Sequence, residues 1–322
     1  MNSRERFIKT MQYGKPDRVP YFEEGIRTDV LRAWKKQGLS SEAEFARRFP
    51  VDKREEVELD PMPEPKTWPE SVVELEDFRK ELDSKKSGGR ARRWTGRARN
   101  WRVRDHVLML RVHRGFFLSM GVYDWRRFAD VARLTVKDPE LVRQTMKLHG
   151  DFAVRAAERV LQEVEIDAAV FTEPIGGNDR PLISPRMYED FVLTSYEPLL
   201  GLLRQHGIET IIFRTFANSR LLVPSILKWG FNCLWACEVN IDEMDYRGLR
   251  REFGRDLRLI GGIDLDVLRG DKESIRREIE EKVPPLLEDG GYIPLADGRV
   301  REDVPFENYV CYRQLLERLI GS

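Results

Sequence analysis

Charged side chains end three consecutive strands that are predicted in the carboxyl half of the sequence. The three residues are Arg214, Glu238 and Asp264. In parallel α/β proteins the carboxyl ends of strands carry binding and catalytic groups. An arginine can hold an anionic group, and a carboxylate can transfer a proton or bind a metal ion. The sequence therefore predicts one working site at these strand ends.

The pattern of apolar residues predicts the elements that must position these side chains. Short apolar, β-branched or aromatic runs predict strands over 209–214, 231–238 and 257–264, and helical spacing predicts helices over 219–229 and 242–253. Strand and helix in alternation imply parallel strands with right-handed crossovers. Adjacent strands lie about 4.8 Å apart, so side chains at their ends can meet at one ligand.

Further charged or polar side chains fall at other predicted strand ends and in the loops that follow. The strand predicted over 167–173 ends on Glu173, and a glycine-rich loop over 174–180 comes next. Further strands are predicted over 18–23 and 114–121. Besides the three residues above, the side chains expected at the same mouth are Glu23, Glu24, Arg27, Glu173, Asn178, Arg180, Asp297 and Arg299.

Two roles are expected within this set. Arg214, Glu238 and Asp264 are the predicted catalytic residues, with Glu173 facing them, and the others are predicted to contact substrate. Ionisable groups in a partly desolvated mouth suit acid–base catalysis and anion binding. For any single residue, a purely structural ion pair is favoured as much as a functional role. For Asp264 the alternative is to cap the helix that follows it.

Composition limits the class of protein. The chain has 322 residues, is 41% hydrophobic, and carries 55 acidic and 55 basic side chains. This balance gives no reason to expect a nucleic-acid or membrane partner. Three cysteines do not form a disulfide framework, and the amino terminus lacks the apolar core of a signal peptide. We therefore expect a cytoplasmic protein.

Residues 52–104 do not follow the alternation of strand and helix. This segment contains a proline-rich stretch over 60–65, an acidic helix predicted over 70–82, and a basic run over 85–104 that includes Trp94 and Trp101. We interpret it as an inserted segment, with a β-hairpin, that covers the main domain. Nucleic-acid binding is the less favoured alternative. Whether its arginines line the substrate entrance stays open.

Several short motifs, weak one by one, lie at 3–7, 16–20, 182–188, 261–264, 290–294 and 305–309. They occur in the order typical of the uroporphyrinogen decarboxylase superfamily, which the chain resembles. That superfamily includes porphyrinogen decarboxylases and zinc-dependent methyltransferases that use corrinoid or coenzyme M. The resemblance implies a (β/α)8 barrel forming one domain over 1–322; an open doubly wound sheet is the alternative.

The zinc site of the methyltransferase branch is not expected here. That branch has a His-x-Cys pair where this sequence reads Arg214-Thr215-Phe216, and zinc needs such thiolate and imidazole donors. Cys233 and Cys237 lie roughly 13 Å apart if they share a strand, too far to share one ion. A relocated metal site remains open, with donors drawn from Cys237, Glu238, Glu173 and Asp264.

Two features argue against the chemistry of other well-known sites. The decarboxylase branch has an arginine-rich loop where this sequence reads Glu23-Glu24-Gly25-Ile26-Arg27. Two acids there would repel a polycarboxylate, so we expect no turnover of uroporphyrinogen. Histidine catalysis is not expected either, because the histidines are predicted in the hairpin or on helix faces; they are His106, His113, His149 and His206.

The leading functional hypothesis is a methyltransferase-like enzyme that acts on a small methylated or carboxylated molecule with a corrinoid partner. A cofactor-free decarboxylase of a non-porphyrin substrate is the first alternative. The second is a catalytically silent barrel that binds a small ligand. The sequence leaves formation of a homodimer open.

Overall fold

In the part of the chain that the structure describes, seven parallel strands form one sheet, and they lie in it in the order in which they occur in the sequence. The computed structural model describes residues 1–58, 68–83, 97–238 and 244–321. Because the strand order never reverses, the doubly wound alternative is wrong. The strands are β1 Arg54–Glu58, β2 Val107–His113, β3 Ala168–Glu173, β4 Ile211–Phe216, β5 Cys233–Cys237, β6 Arg258–Ile263 and β7 Tyr292–Ala296.

Helices connect the strands and cover the outer face of the sheet. None of those in the described ranges is long and apolar enough to cross a membrane. The α-helices are α1 Ser3–Met11, α2 Thr28–Lys35, α3 Glu42–Arg48, α4 Leu75–Asp83, α5 Phe116–Ser119, α6 Trp125–Lys137, α7 Pro139–Leu161, α8 Pro185–Tyr188, α9 Thr194–Gln205, α10 Val223–Trp229, α11 Tyr246–Phe253, α12 Lys272–Asp289 and α13 Phe306–Ile320.

Alternate residues of strands β2 to β7 enter two different hydrophobic cores. In β4, Ile211 and Phe213 pack in the large core between the sheet and the helices. Ile212 lies in a smaller core inside the curve of the sheet, together with Trp235 of β5 and Ile260 of β6. A strand buried on both faces has a nearly continuous apolar sequence, which is why these strands were recognisable.

Helix α1 closes the amino-terminal end of the inner core. Its first turn is stabilised by a capping box, in which Asn2 and Glu5 exchange hydrogen bonds. Phe7 and Met11 of this helix are buried among the inward-facing residues of the strands. The guanidinium of Arg258 on β6 donates to the carbonyl of Met11. The inner core is thus closed at one end, and any open space lies at the other.

The sheet is curled, and an ion pair spans its concave side. Arg214 on β4 donates from Nη1 and Nη2 to the two carboxylate oxygens of Glu56 on β1, at 2.9 and 2.7 Å. These strands are separated by β2 and β3. In a flat sheet three strand spacings would hold them about 14 Å apart. The contact therefore requires strong curvature, as in a barrel-like fold.

Two predicted strands are wrong. Residues 18–23 form no strand in the structure, although their backbone lies beside the entry to β1, where Asp52 N donates to Tyr21 O at 2.7 Å. Residues 114–121 contain helix α5, and the strand precedes them as β2. The strand β1 itself falls in the segment that was expected to cover the barrel.

The described parts of that segment hold β1, helix α4 and a short helical turn at 97–101, without a β-hairpin. The proline-rich stretch, Trp94 and most of the basic run lie outside the described residues. Trp101 is buried and donates to Glu55 at 3.0 Å. Arg102 and Arg104 pair with Glu163 and Asp167, so these basic side chains stabilise the fold.

Replacing Phe7 by alanine should destabilise the protein by about 3–5 kcal/mol, because a fully buried aromatic ring would leave a cavity in the inner core. Urea denaturation measures this change. The matched control is Lys9→Ala, on the exposed side of the same helix, which should change stability by less than about 0.5 kcal/mol. Equal effects of the two substitutions would contradict the role of α1 in closing the core.

Candidate active site

A cavity of about 790 Å³ opens at the carboxyl ends of the strands. Its wall combines the last residues of several strands with loops from both ends of the chain. More of its charged side chains are basic than acidic. The lining residues are Glu23, Glu24, Gly25, Arg27, Val51, Asp52, Lys53, Arg54, Glu56, Arg111, Thr172, Arg214, Phe216, Cys237, Glu238, Gly298, Arg299 and Arg301.

The carboxylate of Glu56 gathers three arginines at the floor of this cavity. Besides the two bonds from Arg214, it accepts from Nη1 of Arg54 at 2.7 Å, and Nε of Arg111 lies 3.7 Å away. Burial opposes ionisation of Glu56, but the hydrogen bond and charge of Arg214, with the charges of the other two arginines, keep its pKa below the usual value. Glu56 is therefore an anion at neutral pH.

Two of these arginines are held in place by an indole. The guanidinium carbons of Arg54 and Arg214 each lie 4.8 Å from the ring centroid of Trp235, which is fully buried. Arg54 also pairs with Glu24 at 3.2 Å. Cation–π and charge-assisted contacts of this kind fix a planar guanidinium. The floor is thus ordered before any ligand arrives.

Several buried donors at this floor have no hydrogen-bond partner among the described residues. They are the Nε groups of Arg54, Arg111 and Arg214, the hydroxyl of Thr172 and the indole Nε1 of Trp235. Unpaired buried donors are costly, so such groups normally meet water or a ligand. The cavity floor is suited to a molecule rich in hydrogen-bond acceptors.

Glu23 is the carboxyl group in this wall that is best placed to hold a proton. Burial raises its pKa, although the charge of Arg313 at 3.7 Å and a hydrogen bond from the Tyr309 hydroxyl at 2.8 Å oppose the shift. Both of these partners belong to helix α13. Glu23 is thus a buried acid that borders the cavity, whereas Glu24 is already paired with Arg54.

Glu238 stands at the exposed rim in an unusual backbone conformation. Its φ angle is +49°, a left-handed value that non-glycine residues rarely adopt. Its amide donates to the carbonyl of Asp297 at 2.6 Å, which fixes this conformation. The carboxylate lies 3.9 Å from Arg301. The strain directs Glu238 toward the cavity mouth, as expected for a residue that serves a ligand.

Glu173 is turned away from the cavity, contrary to its predicted position facing Arg214. Its neighbour Thr172 lines the cavity, whereas Glu173 accepts hydrogen bonds from Phe116 N at 2.6 Å, Tyr196 at 2.9 Å and Tyr188 at 3.1 Å. Complete burial raises its pKa to about 7, against the effect of these hydrogen bonds. Glu173 organises the helix layer behind β3.

The turn after β2 depends on this buried carboxyl. Gly115 has a φ of +92°, and a Cβ there would lie 2.5 Å from Oε1 of Glu173. The amide of Gly115 donates to Nδ1 of His113 at 3.0 Å, and the same nitrogen lies 2.8 Å from the Tyr196 hydroxyl. His113 ends β2, so its assignment to a hairpin or helix is wrong. Burial keeps its pKa well below the usual value.

Asp264 forms a local turn and does not line the cavity. Its carboxylate accepts from the amide of Asp266 at 2.7 Å, at the start of the 3-10 turn that follows β6. Burial raises its pKa, opposed by that hydrogen bond. Asp297 likewise accepts from the amide of Leu265 at 3.0 Å. Asp264 thus stabilises a local turn without capping the helical turn that follows, whose N-cap is Leu265.

The predicted site residues therefore fall into two groups. Those that line the cavity are Glu23, Glu24, Arg27, Arg214, Cys237, Glu238 and Arg299; those that do not are Glu173, Asn178, Arg180, Asp264 and Asp297. Sequence reasoning missed Arg54, Glu56 and Arg111. The available signal was the spacing of Arg54 and Glu56, because residues two apart in a strand lie on the same face of the sheet.

The donors at the cavity do not match the zinc site of the methyltransferase branch. Across the described ranges, no three His, Cys, Asp or Glu side chains come close enough to hold a metal ion. Cys237 lines the cavity, but burial raises the pKa of its thiol and so disfavours the thiolate. Arg214 stands where that branch has a histidine.

The sequence profile of the uroporphyrinogen decarboxylase (URO-D) family matches residues 122–309, more than half of the chain. The chain belongs to the URO-D family. No curated protein sequence gives a significant match.

Among solved structures, a methyltransferase from Methanosarcina mazei is similar over 99% of both chains, with a TM-score of 0.61 and 14% identity. This likeness confirms the overall fold of the URO-D-family chain. A second match is a D-psicose 3-epimerase solved in the presence of D-fructose, and the alignment covers 87% of this chain and 92% of the epimerase chain. With 12% identity and a TM-score of 0.34, this likeness is too weak to support an argument.

Stability should fall as pH rises from about 4.5 to 7, because the folded state holds a proton on Glu173 that the unfolded chain has released. The shift corresponds to about 3 kcal/mol. In the Glu173→Gln variant, which mimics the protonated acid, this contribution should vanish. Urea denaturation across that pH range measures it. The exposed control Glu158→Gln should retain the wild-type slope, and an unchanged slope in Glu173→Gln would contradict the burial argument.

Proposed function

We propose that this URO-D-family protein is a methyltransferase-type enzyme that binds a small methylated anion in the arginine-walled cavity and passes the methyl group to a corrinoid partner. The observation that carries the proposal is the ordered set of arginines with unpartnered donors at the carboxyl ends of the strands. The full-length likeness to a methyltransferase supports the type of reaction.

The charges of the cavity support an anionic substrate. At the floor, Arg54, Arg111 and Arg214 share the carboxylate of Glu56. At the exposed rim, Arg27 and Arg299 add positive charge. The excess of basic side chains would attract a carboxylate or similar group, while Arg54 and Arg214 keep their bonds to Glu56.

The chain's own residues would orient the substrate and protonate the leaving atom. When a methyl group departs, the bonding electrons remain on the atom that carried it, and that atom needs a proton. Glu23 borders the cavity, and burial raises its pKa, which favours its use as a proton donor. The corrinoid, when bound, supplies the nucleophile that takes the methyl group. No metal donor set supports Lewis-acid activation at the position used by the family's zinc enzymes.

Decarboxylation is the second candidate, and the same arginines favour it. A substrate carboxylate held by Arg214 and Arg54 would leave as CO₂, and the carbanion would take a proton from Glu23. Uroporphyrinogen stays an unexpected substrate, since Glu23 and Glu24 border the entrance. Glu24 is paired with Arg54 and Glu23 lies 3.7 Å from Arg313, so these ion pairs reduce the repulsion expected from the two acids.

An assay separates the two candidates. The protein is incubated with N-, O- or S-methylated carboxylic acids and reduced free cobalamin, and the products are identified by mass spectrometry. Appearance of the demethylated acid with its carboxylate intact supports methyl transfer. Release of CO₂ with the methyl group retained supports decarboxylation. Failure of both reactions, with tight binding of the same acids, would overturn both and favour a binding protein.

Substitution of Arg214 by lysine should weaken binding of such carboxylates at least about tenfold, because one point charge replaces a bidentate, stacked guanidinium. Isothermal titration calorimetry measures the affinity for a carboxylate found in a thermal-shift screen. The control Arg276→Ala removes an exposed arginine of helix α12 and should leave the affinity unchanged. Unaltered binding by Arg214→Lys would place the anion elsewhere.

A further inference from the structure

Arg250 differs from the other buried arginines of the protein. In the part of the chain that the structure describes, the arginines that are at least nine-tenths buried are Arg214, Arg250 and Arg313. Arg214 lies 2.7 Å and Arg313 lies 3.7 Å from a glutamate carboxylate. Arg250 forms no ion pair with a carboxylate of the described residues, and its Nη1 donates instead to the neutral carbonyl of Gly290 at 2.8 Å. A buried charge is normally paired with one of opposite sign, so the surroundings of Arg250 are suited to an anion.

Two further arginines surround the same aromatic ring as Arg250. The guanidinium carbons of Arg250, Arg255 and Arg258 lie 5.6, 5.2 and 5.3 Å from the ring centroid of Tyr13. Cation–π contacts help to hold these groups, but the ring has no net negative charge. Neither Arg255 nor Arg258 forms an ion pair with a carboxylate in the described ranges, although Asp256 stands between them in the sequence. Three positive charges therefore meet around one ring without an acid.

Several segments of the chain build this arginine–tyrosine site, which consists of Tyr13, Arg250, Arg255 and Arg258. It lies at the amino ends of β6 and β7, at the opposite end of the sheet from the cavity, because Arg258 is the first residue of β6 and Gly291 directly precedes β7. Tyr13 has a left-handed φ of +57°. Its ring packs so closely on Gly291 that a Cβ there would collide with it. The ring is thus fixed in place by the fold.

The ends of two helices offset part of the positive charge. Arg250 and Arg255 donate to carbonyls at the carboxyl end of α12, and Arg258 donates to the carbonyl of Met11 at the end of α1. The carboxyl end of a helix carries roughly half a negative charge. Two such ends offset about one of the three positive charges, so about two remain. A dianion matches this balance better than a monoanion such as chloride.

We propose that the arginine–tyrosine site binds a phosphate group, either as the free anion or as part of a phosphate ester. The site opens to solvent, because Arg255 is exposed and Arg258 and Tyr13 are partly exposed. Arg258 uses only Nε for its bond to Met11, so its two Nη groups can donate to phosphate oxygens. Two buried donors, the hydroxyl of Tyr13 and Nε of Arg250, have no partner among the described residues, as in sites that water or a ligand completes.

A phosphate group at this position joins the chain after α1 to α11, to β6 and to the end of α12. The unfolded chain lacks this arrangement, so binding should raise the melting temperature as the phosphate concentration increases. The inference does not depend on the reaction proposed for the cavity.

Isothermal titration calorimetry and thermal melting of the full chain with inorganic phosphate test the proposal. Arg255→Ala should weaken phosphate binding at least about tenfold, because it removes an accessible guanidinium from the site. Without phosphate this variant should melt no lower than the wild type, since one of three repelling charges is gone. The matched control Arg251→Ala removes an exposed arginine of α11 and should bind phosphate normally. Potassium chloride at matched ionic strength controls for screening.

Glycerol 3-phosphate distinguishes the two sources of the phosphate group, because it carries the same dianion on a small neutral molecule. Binding as tight as that of inorganic phosphate shows that the site accepts an ester, and much weaker binding shows that it holds the free anion. Either result supports a phosphate site, provided that Arg255→Ala weakens the binding.

The cavity also contains arginines, so the same titration is made with Arg214→Lys as the parent protein. Phosphate binding that persists in Arg214→Lys and weakens at least about tenfold when Arg255→Ala is added supports the proposal. Binding that disappears in Arg214→Lys alone belongs to the cavity and overturns it. So do a wild-type protein that binds no phosphate, and equal stabilisation by chloride and phosphate. A lower melting temperature of Arg255→Ala with unchanged phosphate affinity would also overturn it, because Arg255 then serves only the end of α12.

Discussion

The ion pair between Arg214 and Glu56 joins the two sides of the curled sheet, and the rest of the site is built around it. It brings together side chains from strands that are not neighbours, in a cavity where water screens charges weakly. Removing either partner would leave a buried charge, which is far more costly than losing an exposed pair. The stacking of Trp235 against the two guanidinium groups depends on this curvature. So does the bond from the second arginine, Arg54, to the same carboxylate. The curvature of the sheet therefore determines which charged side chains meet in the cavity.

Strands β2, β3 and β4 change from apolar to polar along their inward faces. Near the amino end the inward residues are apolar, as with Ile212 and Val170, and α1 covers them. Two residues later the same faces carry Arg214 and Thr172, which line the cavity. The apolar layer anchors the strands, so the charged layer above it can hold side chains in positions that would be unfavourable in a less rigid scaffold. This division explains how a wall rich in arginine can be stable.

The sequence predicts the central strands well because both of their faces are buried. Burial of both faces also hides which residues point inward. In β3, Ala168–Phe171 is apolar throughout, so the sequence did not show that Glu173 points away from the cavity. The opposite problem affected β1. Its inward residues, Arg54 and Glu56, are charged, so the strand resembles a solvent-exposed segment until their partners on distant strands are known. Asp264 shows a third limit, since a turn and a catalytic group use the same residue type.

The position of α1 has a consequence for how the chain acquires its structure. This helix precedes all the strands described, yet it packs against the last strand of the sheet, and Met11 is hydrogen-bonded to a residue 247 positions away. Phe7 shares its core with Ile293 and Leu295. Contacts of such long range carry a large loop-closure entropy and slow folding. The inner core can therefore close only after the last strand of the sheet has been made, and until then Phe7 and Met11 lack their native partners.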